Sequence, residues 1–185
     1  MGHAGTLDPL ARGVLVVGVG REATRALSEI VAKEKEYIAQ ICLGYESTTD
    51  DEEGEKKAIE VLAIPGEERV REVIKKFIGT ISQTPPVYSA LKVKGKTAYA
   101  RVRAGEKITL EPREVIIKSI VLLDYTTWPM VTLSVTTGPG VYIRALARDV
   151  GRELGVGGYL KDLERVRVGQ WTKKDALTLD KLGDR

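Results

Sequence analysis

The stretch "VIIKSIVLLDYTTWPMVTLSVTTGPGVYI", residues 115–143, decides the fold class. Two β-rich runs, Val115 to Tyr125 and Val131 to Thr137, are separated by a Trp128-Pro129 turn, and a third extended run, Val141 to Ile143, follows Gly138-Pro139-Gly140. No helix fits between them. Strands joined this closely pair antiparallel, because a parallel neighbour needs a crossover of about a dozen residues or more. Working outward, strands are expected at Val14 to Val19, Tyr37 to Leu43 and Val166 to Trp171. Helices are expected at Glu22 to Val31 and Ala145 to Leu154, and where Val70, Val73, Ile74, Phe77 and Ile78 form one apolar stripe closed by Gly79. The mixture is α+β with a mainly antiparallel sheet.

That order bears on a competing signal. Gly18, Gly20 and Ala23 match a loose G-x-G-x-x-A dinucleotide fingerprint, but such a site needs parallel strands with helical crossovers. Its acidic partner would fall at Glu46, in an acidic cluster that repels a pyrophosphate. The glycines read instead as a strand end turning into a helix, and a dinucleotide-binding oxidoreductase is the remote alternative.

With 185 residues, 43% hydrophobic and 30% charged, the chain suits a single domain, residues 1–185, with one buried core. No run approaches the roughly eighteen apolar residues of a membrane span, and no signal-peptide pattern opens the chain, so a cytoplasmic monomer is expected. Cys42 is the only cysteine and His3 the only histidine, which disfavours a zinc site. The net charge of +3 is unevenly spread. Glu46 to Glu72 holds ten acidic and four basic residues, whereas Thr84 to Lys118 holds eight basic and three acidic, and Arg144 to Lys174 eight and four. This asymmetry suits a polyanion partner. The acidic "TTDDEEGEKK" loop lacks the alternation of a calcium loop and reads as solvated surface.

Asp8, in "GHAGTLDPLARGVL", has a plain local reading as a helix N-cap with Pro9 at the first helical position. The whole stretch, however, resembles the catalytic motif of the TruB family of pseudouridine synthases, which modify tRNA. "KEYIAQICLG", "PPVYSALKVKGKTAYARVRAGE", "GVYIRALARDVGRELG" and "YLKDLERVRVG" resemble successive segments of the same family. The resemblance implies a mixed sheet flanked by helices around a central cleft, with a thumb, here residues 84–113, that grips the T-arm of tRNA. It implies isomerisation of uridine-55 to pseudouridine without cofactor or metal. Family members also carry a Lys-Pro-x-Gly segment ahead of the motif and commonly an appended RNA-binding domain. Neither is in this sequence, so binding is expected to rest on core and thumb, and a non-catalytic tRNA-binding or tRNA-folding protein stays open as the alternative.

The implied residues suit the chemistry. The reaction breaks the N1–C1′ bond, turns the freed uracil and rejoins it through C5, which calls for an ionised carboxylate by the sugar and a pocket for the loose base. Asp8 is that carboxylate by resemblance, whether it attacks C1′ or C6 or removes the C2′ proton. Arg144 is its expected partner, since a guanidinium opposes protonation of a buried carboxylate. Tyr37 is assigned to stacking on the flipped base, with its phenol available for the C5 proton. Tyr142 shares a side with Arg144 if the run there is extended; Leu163 resembles the apolar wall, and His3 the residue filling the gap left by the flipped nucleotide. Lys92, Lys94, Lys96, Tyr99, Arg101 and Arg103 are expected to contact RNA from the thumb.

Overall fold

The computed structural model describes residues 1–93 and 95–178. In chain order the first elements are β1 (Gly2–His3), β2 (Ala11–Gly13), β3 (Val17–Gly18), α1 (Arg21–Val31), β4 (Lys35–Leu43), β5 (Tyr45–Ser47), β6 (Lys56–Ala58), α2 (Glu67–Lys75) and β7 (Gly79–Gln83). There follow β8 (Lys92–Val93), β9 (Lys96–Thr97), α3 (Ala98–Arg103), β10 (Arg113–Asp124), β11 (Met130–Thr137), α4 (Ile143–Leu154), β12 (Gly158–Val168) and β13 (Trp171–Thr172). A seven-stranded sheet runs β13-β12-β4-β11-β10-β7, with β2 added alongside β12. Every pair is antiparallel except β2 with β12; the short turn within residues 115–143 joins the antiparallel β10–β11 pair, and the described strands do not form the parallel sheet of a dinucleotide fold.

Alternation along the strands places Ala39, Ile41 and Leu43 of β4, Ile117 and Ile120 of β10 and Val131, Leu133 and Val135 of β11 in one core. Val70, Val73 and Ile74 of α2 and Leu146, Ala147 and Val150 of α4 close that core. Burying each such side chain is worth about 1.5–3 kcal/mol. Gly151 lets α4 approach closely: a Cβ there would collide with the backbone of Gly157 and Gly158 at the start of β12. Gly155, with φ +77°, ends the helix in the left-handed conformation. No helix of the described residues is long and apolar enough to cross a membrane.

Several expected elements differ. The Val14 to Val19 run is not one strand, because its partner changes: Val14 N–H donates to Arg165 O, whereas Ala4 N–H donates to Val16 O and Val17 pairs with His3. Gly18 ends β3 and Gly20 precedes α1 with φ +87°, as expected of a strand end turning into a helix. Val141 to Ile143 is not a strand, since Ile143 already begins α4. The expected Val166 to Trp171 run is not one strand: Val166 to Val168 ends β12, which starts back at Gly158 with its pattern masked by charged Lys161, Asp162, Glu164 and Arg167, and Trp171 begins β13. α2 ends at Lys75, short of the Phe77 and Ile78 end of its stripe. In residues 84–113, the segment expected to act as a thumb, β8 and β9 form a hairpin and Thr97 caps α3 by accepting from Ala100 N–H at 3.2 Å. Lys94 lies outside the described residues.

Candidate active site

Asp8 caps no helix. Pro9 and Leu10 turn the chain directly into β2, and Ala11 N–H donates to Asp8 O at 2.8 Å. The loop carrying Asp8 is held from beneath by Arg165 of β12, which is almost fully buried. Its Nε donates to Val14 O at 2.7 Å and its Nη2 to Gly5 O at 3.1 Å, so one guanidinium grips both flanks of the loop. Gly13 permits this approach: with φ +106°, its missing Cβ would overlap the Arg165 carbonyl.

From the first turn of α4, Arg144 meets Asp8 in a two-point ion pair, Nε to Oδ2 at 2.8 Å and Nη2 to Oδ1 at 3.0 Å. Nη1 donates to Asp51 Oδ2 and to Thr49 O, both at 3.2 Å, and Nη2 also donates to Tyr88 O at 3.0 Å. A cation at a helix N-terminus is opposed by the helix dipole; here two carboxylates offset that cost. Asp51 is only 2% exposed, and its Oδ1 accepts from Glu53 N–H at 3.0 Å and from the Thr49 hydroxyl. The acidic loop is therefore not solvated surface throughout. Asp51 faces inward because a buried guanidinium on α4 requires it, and Asp50 likewise meets Arg148 at 2.7 Å.

Asp8 lies between two cavities. The first, about 450 Å³, is bounded by Thr49, Asp51, Arg144 and the thumb residues Tyr88, Ser89 and Tyr99. The second, about 280 Å³, contains Tyr37, Tyr142, Leu163, Lys35, Arg113 and Arg165. Tyr37 and Leu163 are buried on adjacent strands β4 and β12, with Leu163 opposite Ala39 in the register. Burial pushes the Tyr37 phenol up, Arg165 opposes that shift and Asp8 adds to it. Lys35 is pushed down by burial and then by Arg165; its Nζ donates to Val31 O at 2.9 Å and Lys33 O at 3.0 Å, closing the end of α1. Tyr142 does not share Arg144's cavity, because the period of two ends where α4 begins. Its ring sits under the Arg113 guanidinium, 5.0 Å from ring centroid to the cation.

The other assigned residues are distributed as follows. His3 is exposed on β1 and lines neither cavity. Lys92, Lys96 and Arg103 are exposed, whereas Arg101 is engaged by Glu106, with Nε to Oε2 at 2.7 Å. Tyr99 packs edge-on against Tyr88 with ring centroids 6.3 Å apart. Sequence reasoning missed Asp51, Asp50, Arg165 and Lys35. The one signal for the two aspartates was the i, i+4 spacing of Arg144 and Arg148, which puts two cations on one helix face in need of partners.

The chain matches the model of the TruB family pseudouridylate synthase N-terminal domain over residues 1–143, and that of the tRNA pseudouridylate synthase B C-terminal domain over residues 144–185. It belongs to the TruB family. The Asp8–Arg144 pair joins the two matched regions. The tRNA pseudouridine synthase B of Thermobifida fusca is 46% identical over 189 residues, covering 98% of this chain and 64% of that protein. That of Parabacteroides distasonis is 44% identical over 184 residues, covering 100% of this chain and 77% of the other. The chain thus spans just under two thirds of the Thermobifida relative. Among solved structures, a chain in a Cbf5–Nop10–Gar1 complex superposes with a TM-score of 0.73 at 29% identity, covering 98% of this chain and 44% of that one. An H/ACA RNP bound to a substrate RNA containing 2′-deoxyuridine gives 0.68 at 26% identity, over 98% and 43% of the two chains. The TruB chain thus has the pseudouridine synthase fold, α+β with a mainly antiparallel sheet.

Proposed function

We propose that this chain isomerises uridine-55 in the T loop of tRNA to pseudouridine, with Asp8 as the reacting carboxylate. The observation that carries the reading is the two-point Asp8–Arg144 pair at the junction of the two cavities, in a TruB family member. In the second cavity the Tyr37 ring and Leu163 hold the uracil after the N1–C1′ bond breaks, so that the base turns without leaving. Asp8 acts at the sugar edge. N1 gains a proton and C5 loses one: the Tyr37 phenol, kept protonated by burial, gives its proton to N1, and the phenolate so formed takes the proton from C5. Lys92, Lys96 and Arg103, exposed on the thumb, meet RNA phosphates, and Lys94 supplies a further charge to the same segment. Tyr99 offers a stacking face, and His3 occupies the place of the flipped nucleotide. The curated relatives named tRNA pseudouridine synthase B support tRNA as substrate.

Tritium release from T-arm RNA carrying 5-tritiated uridine tests the assignment. Asp8→Asn keeps size and acceptor oxygen, so release should vanish while RNA affinity stays within about threefold of the parent. If Asp8→Asn retains a rate within about tenfold of the parent, Asp8 is not the reacting group. Tight T-arm binding by the unmodified chain without tritium release or pseudouridine would leave an RNA-binding protein.

A further inference from the structure

Asp50 is the one non-glycine residue with a positive φ, +62°, among the described residues. Aspartate tolerates the left-handed region better than most residues, but the conformation persists only where surroundings over-determine it. Here they do. Asp50 N–H donates to Ser47 O at 3.2 Å, its carbonyl accepts from Leu160 N–H at 3.0 Å, and its carboxylate accepts from Arg148 Nη1 at 2.7 Å. The twist at Asp50 turns two successive carboxylates onto successive turns of α4: Asp51 to Arg144 and Asp50 to Arg148. Both arginines also reach the chain entering the thumb, Arg148 at Thr84 O (2.8 Å) and Arg144 at Tyr88 O (3.0 Å). Arg148 is fixed in turn by Asp149, Nε to Oδ1 at 2.9 Å, and both Asp50 and Arg148 are largely shielded from solvent.

We infer that Asp50 and Arg148 form a positioning pair, touching no reacting atom, that sets Asp51, Arg144 and Asp8 in place and couples the root of the thumb to them. The inference rests on the proposed function for its catalytic readout. Without the pair, the left-handed turn at Asp50 keeps only its two backbone hydrogen bonds, Asp51 is aimed less firmly at Arg144, and Thr84 loses its donor.

Three variants of the full chain test this with T-arm RNA: Asp50→Gly, which accepts the positive φ but deletes the carboxylate; Asp50→Asn, which keeps an acceptor and tolerates the turn; and Arg148→Lys, which keeps charge but cannot reach Asp50, Asp149 and Thr84 together. Single-turnover rates at saturating RNA should fall about tenfold or more in Asp50→Gly and Arg148→Lys, with RNA affinity within about threefold. Asp50→Asn should recover most of the lost rate. Full rates in folded Asp50→Gly or Arg148→Lys overturn the inference, as does a loss confined to thermal stability. A second readout needs no turnover. Amide exchange should rise together in residues 47–52 and 84–89 of Arg148→Lys; a rise in only one segment overturns the coupling. An inactive parent chain with the exchange coupling intact would count against the proposed function and leave the pair standing.

Discussion

Arg144 donates from all three guanidinium nitrogens, and its two carboxylate partners have unequal roles. Asp8 borders both cavities, whereas Asp51, almost fully buried, borders only the first and has both carboxylate oxygens hydrogen-bonded. Asp51 therefore acts on orientation. Asp51→Ala leaves Arg144 with Asp8 as its one carboxylate partner among the described residues, and breaking a buried pair should cost about 3 kcal/mol in urea unfolding. It should also lower the rate at saturating RNA; an unchanged rate would separate Asp51 from the site. Tyr37 calls for a paired comparison, because its ring and its hydroxyl have different assignments. Tyr37→Phe keeps the ring proposed to hold the base and should retain RNA affinity, while Tyr37→Leu removes it and should abolish turnover of a T-arm hairpin. Equal turnover by Tyr37→Leu and the parent would make Tyr37 a core residue.

At the scale of elements, α4 links core and site. Its buried face packs on the sheet through Leu146, Ala147 and Val150, while Arg144 and Arg148, one turn apart, face the acidic loop and the thumb root. The depth at which α4 sits is set where Gly151 meets the start of β12. Gly151→Ala should improve helix propensity by about 0.8–1 kcal/mol but force the helix off the strand, for a net loss of about 2 kcal/mol. Chemical denaturation measures this, and a stabilised variant would show that the contact relaxes freely. β12 works from the other side. Its Arg165 holds the Asp8 loop and its Leu163 walls the second cavity, so one strand supports the loop and lines the cavity at once.

Across the whole molecule, charge is divided rather than uniformly basic. Part of the acidic loop is neutralised internally by Arg144, Arg148 and Lys161, while Lys92, Lys96 and Arg103 stay exposed on the thumb. RNA binding should then release counterions from roughly four to six phosphates, giving a log–log salt slope of about −3 to −5. Replacing Lys92, Lys96 and Arg103 together by Gln should flatten the slope by about two and weaken T-arm binding across sequences. The rate at saturating RNA should stay within about threefold, since none of the three lines either cavity. An unaltered slope would remove the thumb from the interface.

The sequence by itself determined what is local. Turn lengths in residues 115–143 set the antiparallel order, periodicity set α2 and α4, and the short motif around Asp8 marked the loop on which the proposed chemistry rests. What it did not contain is which charged residues go inside. Asp51 and Glu55 stand in one acidic run, yet Asp51 is buried and Glu55 exposed. Likewise Arg165 and Arg167 share a strand, but Arg165 grips the Asp8 loop while Arg167 meets Glu34 and Glu36 at the surface. Burial of an ion depends on a partner arriving from elsewhere in the chain, 136 residues away for Asp8 and Arg144 and 93 for Asp51 and Arg144. A charge is tolerated in a low-dielectric interior only when that partner is in place, so the assembled fold decided which of the charged residues, 30% of the chain, were buried.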